Sequence, residues 1–418
     1  MTIAFIFTQI FLFVLFANIG LKLWLSLRQA RHVAIKRSAV PKDFEQTITL
    51  LEHQKAADYT IAKLRIGRID LMLGAVIVLG LTLGGGLSRL SLAWEQIWSV
   101  QSIWHGVALL VSITVLTTLL ELPLGIYSTF KVEKEFGFNR MTWRLFIQDL
   151  IKSTLLGALL GIPLLTAFLW LMQSAGAFWW ILAWAFWLSI NLGAMVIWPI
   201  FIAPLFNKFK PLEDAALKMR IDALLQRCGF KSKGLFVMDG SRRSAHGNAY
   251  FTGLGAAKRI VFYDTLLEAL TPQEIEAVLA HELGHFHHKH LWKRLLILAP
   301  TSLLFLAFLA YLLEQTWFFS GLGLSNNSTA AGLALFSMVL PLFLFPFTPI
   351  FSHSSRKHEF QADAYAARHA NAQDLCSALV KLYKDNASTL TPDPLYTKFY
   401  ASHPPAATRL AHLQKLAS

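Results

Sequence analysis

Apolar residues along this chain come in long unbroken runs, and the polar residues are gathered into the stretches between them. A bilayer core needs about 20 apolar residues per helix, and that ruler predicts seven spans, at residues 3–21, 69–87, 103–127, two within 153–207, 293–313 and 331–352. No charged side chain occurs from Ser153 to Asn207. That stretch is too long for one helix and suits two joined at Gln173-Ser174-Ala175-Gly176. Asn326-Asn327-Ser328 supplies the turn between the sixth and seventh spans. The first run, Thr2 to Leu21, has no basic segment ahead of it and bulky residues such as Trp24 behind it, so it reads as a retained span rather than a cleaved signal. The third span carries Glu121, which is costly in hydrocarbon unless it meets water or a partner.

The polar stretches predict a second kind of structure. Glu213 to Cys228 has the spacing of an amphipathic helix with Ala216, Met219, Ala223 and Leu224 toward one face, closed by Gly229. Leu235–Met238, Asn248–Thr252 and Ile260–Tyr263 read as short strands between glycine-containing turns. Thr271-Pro272-Gln273-Glu274 is a helix start, with threonine as N-cap, proline at the first position and glutamate at the third. From about Ser355 the chain is polar and helical, interrupted at Thr391-Pro392-Asp393-Pro394 and His403-Pro404-Pro405. The expected division is 1–206, a membrane region with five spans, and 207–418, a region with a small β-sheet and two further spans.

Composition agrees with the pattern. The 418 residues are 55% hydrophobic and 15% charged, with a mean hydropathy of +0.48, far more apolar than a water-soluble chain of this length needs. The expected class is mainly α, a polytopic membrane protein. The net charge of +13 sits beside the apolar spans with no nucleic-acid recognition module, so membrane-surface electrostatics accounts for it and nucleic acid is not an expected partner. Lysines and arginines also fix an orientation. Ten of them lie between Leu21 and Arg68, whereas Arg89 alone follows the second span and none lies between the sixth and seventh. The topology that satisfies every loop puts the N-terminus outside and the 207–292 loop and C-terminus on the cytoplasmic side. Cys228 and Cys376 form no C-x-x-C pair, so neither a disulfide framework nor a thiolate metal site is expected.

The helix that starts at Thr271 ends in His281-Glu282-Leu283-Gly284-His285. Imidazoles at i and i+4 share one helix face, so their nitrogens can converge on one ion, and the spacing suits zinc. Glu282, about 100° further round, can take a proton from a water activated there without being a ligand. A third ligand is needed. Glu359 is the candidate, directly after the last span, with His358 and Asp363 as alternatives; Asp363, one turn on, can instead hold the far nitrogen of a ligating histidine. His287, His288 and His290 point to other helix faces and read as surface residues.

Together, H-E-x-x-H, the R-x-x-E-F-x-A-D segment ending at Asp363 and the Asn248-Ala249-Tyr250-Phe251-Thr252-Gly253 stretch resemble the type I CAAX prenyl proteases. The likeness extends to Leu122-Pro123 through Tyr127, Thr129-Phe130, Glu133-Lys134-Glu135-Phe136-Gly137-Phe138-Asn139 and Ser402-His403-Pro404-Pro405 with Arg409. This resemblance implies a seven-span zinc metalloprotease with a cytoplasmic zinc domain, one Zn²⁺ on His281, His285 and Glu359, and an intramembrane chamber. It implies Glu282 as base, His403 as a donor to the developing oxyanion, and Arg409 helping to place that oxyanion or a substrate carboxylate. It also makes Asn248, Ala249 and Tyr250 the edge on which an extended substrate lies. The implied partners are the bilayer and a peptide tail, prenylated or otherwise membrane-associated. Two other readings stay open: a general membrane quality-control protease with no prenyl requirement, and a non-catalytic scaffold or transporter with structural zinc.

Overall fold

A computed structural model describes residues 1–252 and 258–417; Gly253, part of the expected substrate edge, lies outside the described residues. Helix α1 (Ile3–Lys36) opens the chain, followed by α2 (Leu50–Leu81) and α3 (Gly86–Glu95). Both α1 and α2 run far beyond the apolar stretches expected at 3–21 and 69–87. A capping box between Thr49 and Glu52 starts α2 within the basic segment, which had looked like a loop. The second span is also not one helix to residue 87. It breaks after Leu81, and α3 leaves at 51°. Glycines force that bend: Gly85 has φ 73°, and a Cβ on Gly84 or Gly86 would meet the Gly80 carbonyl oxygen at 2.8 or 2.7 Å.

Helices α4 (Ile103–Tyr127), α5 (Trp143–Ser174) and α6 (Trp179–Ile197) match the next three spans, with the break at 175–178 close to where the sequence placed it. Glu121 is exposed on α4. A short α7 (Ala203–Phe206) leads to strand β1 (Phe209–Pro211), which was not anticipated because three residues ending in proline carry no alternation. Helix α8 (Ala215–Arg227) occupies the expected place but buries a different face. Leu217, Ile221, Leu224 and Leu225 are buried, whereas Met219 is 69% exposed. The larger side chains at 217, 221 and 225 win the core over the alanines at 216 and 223.

Strands β2 (Leu235–Met238), β3 (Ala249–Thr252) and β4 (Arg259–Tyr263) complete a sheet of order β1-β2-β4-β3. Strand β3 lies at its edge, antiparallel to β4 with Tyr250 opposite Val261. Then come α9 (Asp264–Ala269), α10 (Pro272–His287), α11 (His290–Leu313), α12 (Thr316–Ser320), α13 (Thr329–Leu344), α14 (Thr348–His369), α15 (Ala372–Asp385), α16 (Pro394–Tyr400) and α17 (Ala406–Ala417). Helices α13 and α14 form one span-bearing rod of 41 residues, about 60 Å at 1.5 Å per residue. That is twice the thickness of a hydrocarbon core, so the polar half of α14 stands outside the membrane.

Among the described residues, six continuous helical runs and one bent pair, α2 with α3, are long and apolar enough to cross a bilayer. Their outer faces expose large apolar side chains such as Leu159, Phe201, Leu296 and Leu304, a belt that only lipid can cover. The bundle has one core, around Phe11, Leu109, Leu169, Leu309 and Leu335. The polar region has another, around Ile221, Phe262, Ile275, Leu283 and Leu413.

Candidate metal centre

Helix α10 begins as its sequence dictates: the Thr271 hydroxyl accepts from the Glu274 amide, and the Glu274 carboxylate accepts from the Thr271 amide at 2.7 Å. The same carboxylate pairs with Lys381 at 2.8 Å and accepts from Ser377, which docks α15. Burial raises the Glu274 pKa, but these partners outweigh it and hold the carboxyl below its ordinary value. Further along, Gly284 lets α10 lie against α14. A Cβ there would stand 2.9 Å from the Ala362 Cα and 3.0 Å from the Tyr365 Cβ. The glycine inside the motif therefore sets the distance between the two helices that carry the ligands.

At that crossing the His281 and His285 Nε2 atoms are 3.2 Å apart, and the Glu359 carboxylate straddles them, Oε2 3.5 Å from His281 and Oε1 3.5 Å from His285. Three donors on a tetrahedral ion at about 2.1 Å stand about 3.4 Å from one another. The donor set fits that sphere. Glu359 is 4% exposed, and among the described residues its Oε2 atom takes no hydrogen bond, an orphaned anionic acceptor that an ion would satisfy. His358, one of the alternatives for third ligand, is not in the group of converging donors; its ring stacks on His290 at 4.0 Å.

Bonds on the far side of each ring turn both histidines toward the site. The His281 Nδ1 lies 2.8 Å from the Asp363 Oδ1, a proton-accepting carboxylate, so its Nε2 faces the site. His285 is held through a relay. Gln361 Oε1 accepts from the His290 Nε2 at 2.9 Å, which leaves the His290 Nδ1 as an acceptor for the His285 Nδ1 at 3.0 Å. His290 is thus no surface histidine, being 5% exposed. The sequence hid it because α10 ends at His287 and the chain turns at Lys289 with φ 53°, a left-handed conformation that no glycine announces.

Burial lowers the His281 pKa, yet the Asp363 and Glu359 carboxylates outweigh it and raise it to about 9. His285 goes the other way, to about 3, by burial and by the charge on His281. Burial also pushes the Glu282 carboxyl up, and Glu359 adds to the rise, which suits a base that must hold a proton transiently.

Arg409 is 5% exposed. Its Nε donates to the Asp363 Oδ2 at 2.9 Å, and its Nη1 is 3.8 Å from Glu359. The guanidinium therefore stands behind the ligands, committed to Asp363. His403 stands in front, its Nε2 3.5 Å from Glu359 Oε2 and its Nδ1 2.9 Å from the Ser402 hydroxyl. Its side chain is 59% exposed. Asn248 and His403 line one open cavity of about 1290 Å³. Ala249 packs toward the core, and the Tyr250 hydroxyl reaches the Met238 sulfur, 3.9 Å, on the sheet face.

The segment Glu133 to Asn139 reaches this region from the membrane half. The Tyr59 hydroxyl donates to Glu133 at 2.7 Å, and the His246 Nε2 lies 3.7 Å from the same carboxylate. His246 also stacks on Phe138 at 4.4 Å and bonds to Asn386 at 3.0 Å. The Ala245 amide donates to the Phe138 carbonyl at 3.0 Å. Gly137, with φ 81°, makes the reversal possible. The loop that leads into β3 is thereby fastened to the membrane half just before the edge strand begins.

Comparison with known proteins covers both halves. Residues 29–208 match the family model described as CAAX prenyl protease N-terminal, five membrane helices, and residues 211–417 match peptidase family M48. The chain is 38% identical to the CAAX prenyl protease 1 homolog of Arabidopsis thaliana over 93% of its own length and 92% of that protein's. To CAAX prenyl protease 1 of Saccharomyces cerevisiae it is 39% identical, over 75% and 73% of the two chains. The crystal structure of S. mikatae Ste24p superposes with a TM-score of 0.90 at 33% identity, covering 97% of this chain and 98% of that one. With a membrane-helix match on one side, a metallopeptidase match on the other and a solved fold spanning both, this chain belongs to the type I CAAX prenyl proteases, the integral-membrane branch of the M48 metallopeptidases.

Proposed function

We propose that the chain is a zinc-dependent endopeptidase that cuts extended peptide segments presented at the membrane, its active site facing the cytoplasm and its N-terminus the opposite side. The observation that carries this reading is the convergence of three ligands at mutual distances of 3.2–3.5 Å beside an open cavity. A structural zinc is closed by four protein ligands, and the cluster among the described residues has three, which favours catalysis over a scaffold or transporter. His281, His285 and Glu359 would hold the ion. When bound, zinc supplies Lewis acidity and lowers the pKa of an attacking water to about 7.

The protein's own residues do the rest. Glu282 takes the proton of the attacking water and returns it to the departing amine. His403 turns its Nε2 to the site and its Nδ1 to the Ser402 hydroxyl, and in the tautomer or charge state that carries a proton on Nε2 it can donate to the oxyanion. Asn248, Ala249 and Tyr250 offer the open edge of β3 to substrate backbone, which gives sequence-tolerant binding. Asp363 and Arg409 act from behind, by holding His281.

The relatives are CAAX prenyl proteases, which makes a prenylated C-terminal tail the first substrate to try. The test is purified wild type and Glu282→Gln with a farnesylated CAAX peptide, its unprenylated twin and an unfolded membrane protein. Glu282→Gln should retain zinc and lose about 10²- to 10⁴-fold in turnover; undiminished cleavage by that variant overturns the mechanism. Preference for the farnesylated peptide supports tail processing, whereas equal cleavage of all three favours quality control.

A further inference from the structure

The cavity in front of the metal centre carries two cations, on α1 and α2, that make no ion pair among the described residues. Lys22 on α1, half-buried, holds its ammonium 4.5 Å over the Phe345 ring. Arg68 on α2, also half-buried, donates to the Ser26 hydroxyl at 3.1 Å. Both line the cavity, and among the described residues neither has an acidic partner. Ser26 is one turn beyond Lys22 on α1, so the hydroxyl that Arg68 reaches and Lys22 share one face of that helix. Lys63, a third, is 3.9 Å from Glu133 and therefore partly paired; Asp70 is the acid on the described lining. Like charges held half out of water cost free energy until an anion joins them.

The direction of the edge strand says which end of a peptide arrives there. Antiparallel pairing is the stabler ladder, and a peptide laid antiparallel on β3 has its C-terminal side next to the start of the strand. That start is His246-Gly247-Asn248, which lines the same cavity. Residues beyond the cut therefore run toward Lys22 and Arg68. A compact void of this volume is roughly 11 Å across, room for about three extended residues at about 3.4 Å each. Arg409 does not serve this purpose, because Asp363 occupies it.

We infer that Lys22 and Arg68 are the residues that bind the free α-carboxylate of a peptide tail lying in this cavity, and so set the enzyme's preference for a free chain end. The inference rests on the endopeptidase reading above. The test uses the full-length, zinc-loaded protein in lipid nanodiscs with two quenched fluorescent peptides, identical except for a C-terminal acid or amide. Amidation should lower kcat/KM of the wild type about ten- to a hundredfold, chiefly through KM, the range that a lost charge-assisted bond gives. Lys22→Gln and Arg68→Gln should lose similarly on the acid and little on the amide, with zinc content unchanged, and Arg68→Lys should recover part of the loss. Equal cleavage of acid and amide by the wild type overturns the inference while leaving the endopeptidase intact. So does an equal loss on both peptides in the variants, or a loss that appears only in nanodiscs containing phosphatidylglycerol, which would give these cations to lipid headgroups. Absence of Glu282-dependent cleavage of either peptide overturns the endopeptidase reading itself.

Discussion

The two sides of the metal centre are built on opposite terms. Behind the ligands, Asp363, Arg409, His290 and Gln361 are matched donor to acceptor, and three of the four are buried. In front, His403 is more than half exposed, β3 lies at the sheet edge, and the cavity wall carries Lys22 and Arg68 with no ion-pair partner among the described residues. Matched polar groups fix a geometry; unmatched ones wait for a ligand. On the proposed reading, the rear surface sets where an ion would sit, and the front surface decides what would reach it.

The sharpest way to test this division is to break the rear side at its most buried point. Asp363 is fully buried, and Asp363→Asn removes the charge that holds both His281 and Arg409. Zinc affinity should fall about 10- to 100-fold, read by competition with a chelator, while KM measured at saturating zinc stays close to wild type. His290→Phe removes the acceptor for the His285 Nδ1. Because the His285 side chain is 27% exposed, water can replace that acceptor, and the loss should be about tenfold or less. A change in KM without a change in zinc affinity, for either variant, would mean that the rear residues handle substrate and that the division is wrong.

The ligand set belongs to the part of the fold that sequence alone displays. Local rules write His281, Glu282, His285, the Thr271 cap and the spans, since each depends on neighbours within a few residues. Glu359 was the candidate by position, with His358 and Asp363 as alternatives until the resemblance favoured it; the close packing of α10 on α14 at Gly284 brings its carboxylate beside His281 and His285. Features made by long-range packing stayed hidden. The buried face of α8 was misread because small and large apolar residues interleave, and His290 because its turn has no sequence mark. The extension of α1 and α2 past their apolar stretches was missed for a different reason: a hydropathy ruler measures the membrane, whereas the helices continue beyond it as cavity walls.

A second prediction concerns the front side, where the membrane half fastens the approach to β3. Glu133 accepts from Tyr59 and faces His246 and Lys63. Glu133→Gln keeps the size and one hydrogen bond but loses the charge. Cleavage of extended peptides should fall about threefold to tenfold in kcat/KM, roughly 0.7–1.4 kcal/mol, with zinc affinity untouched. Loss of zinc in this variant would show that the fastening supports the ligands rather than the strand.

The smallest effect tests whether the start of α10, three turns from the ion, belongs with the rear side. Glu274 has a carboxyl held below its ordinary value by Lys381, Ser377 and the Thr271 amide despite burial. A depressed folded-state pKa contributes stability that is complete above the unfolded value, about 4.3, and is lost as pH falls through the lower folded value. The melting temperature of the zinc-free protein should therefore exceed that of Glu274→Gln at pH 7, and the gap should close as pH drops below about 4.3. Zinc-free protein is the right sample, since protonation of the histidines would otherwise release the ion in the same range and mask the difference. A gap that stays constant down to that range would mean that the carboxylate's charge contributes nothing, and that α10 is held in place by its apolar face alone.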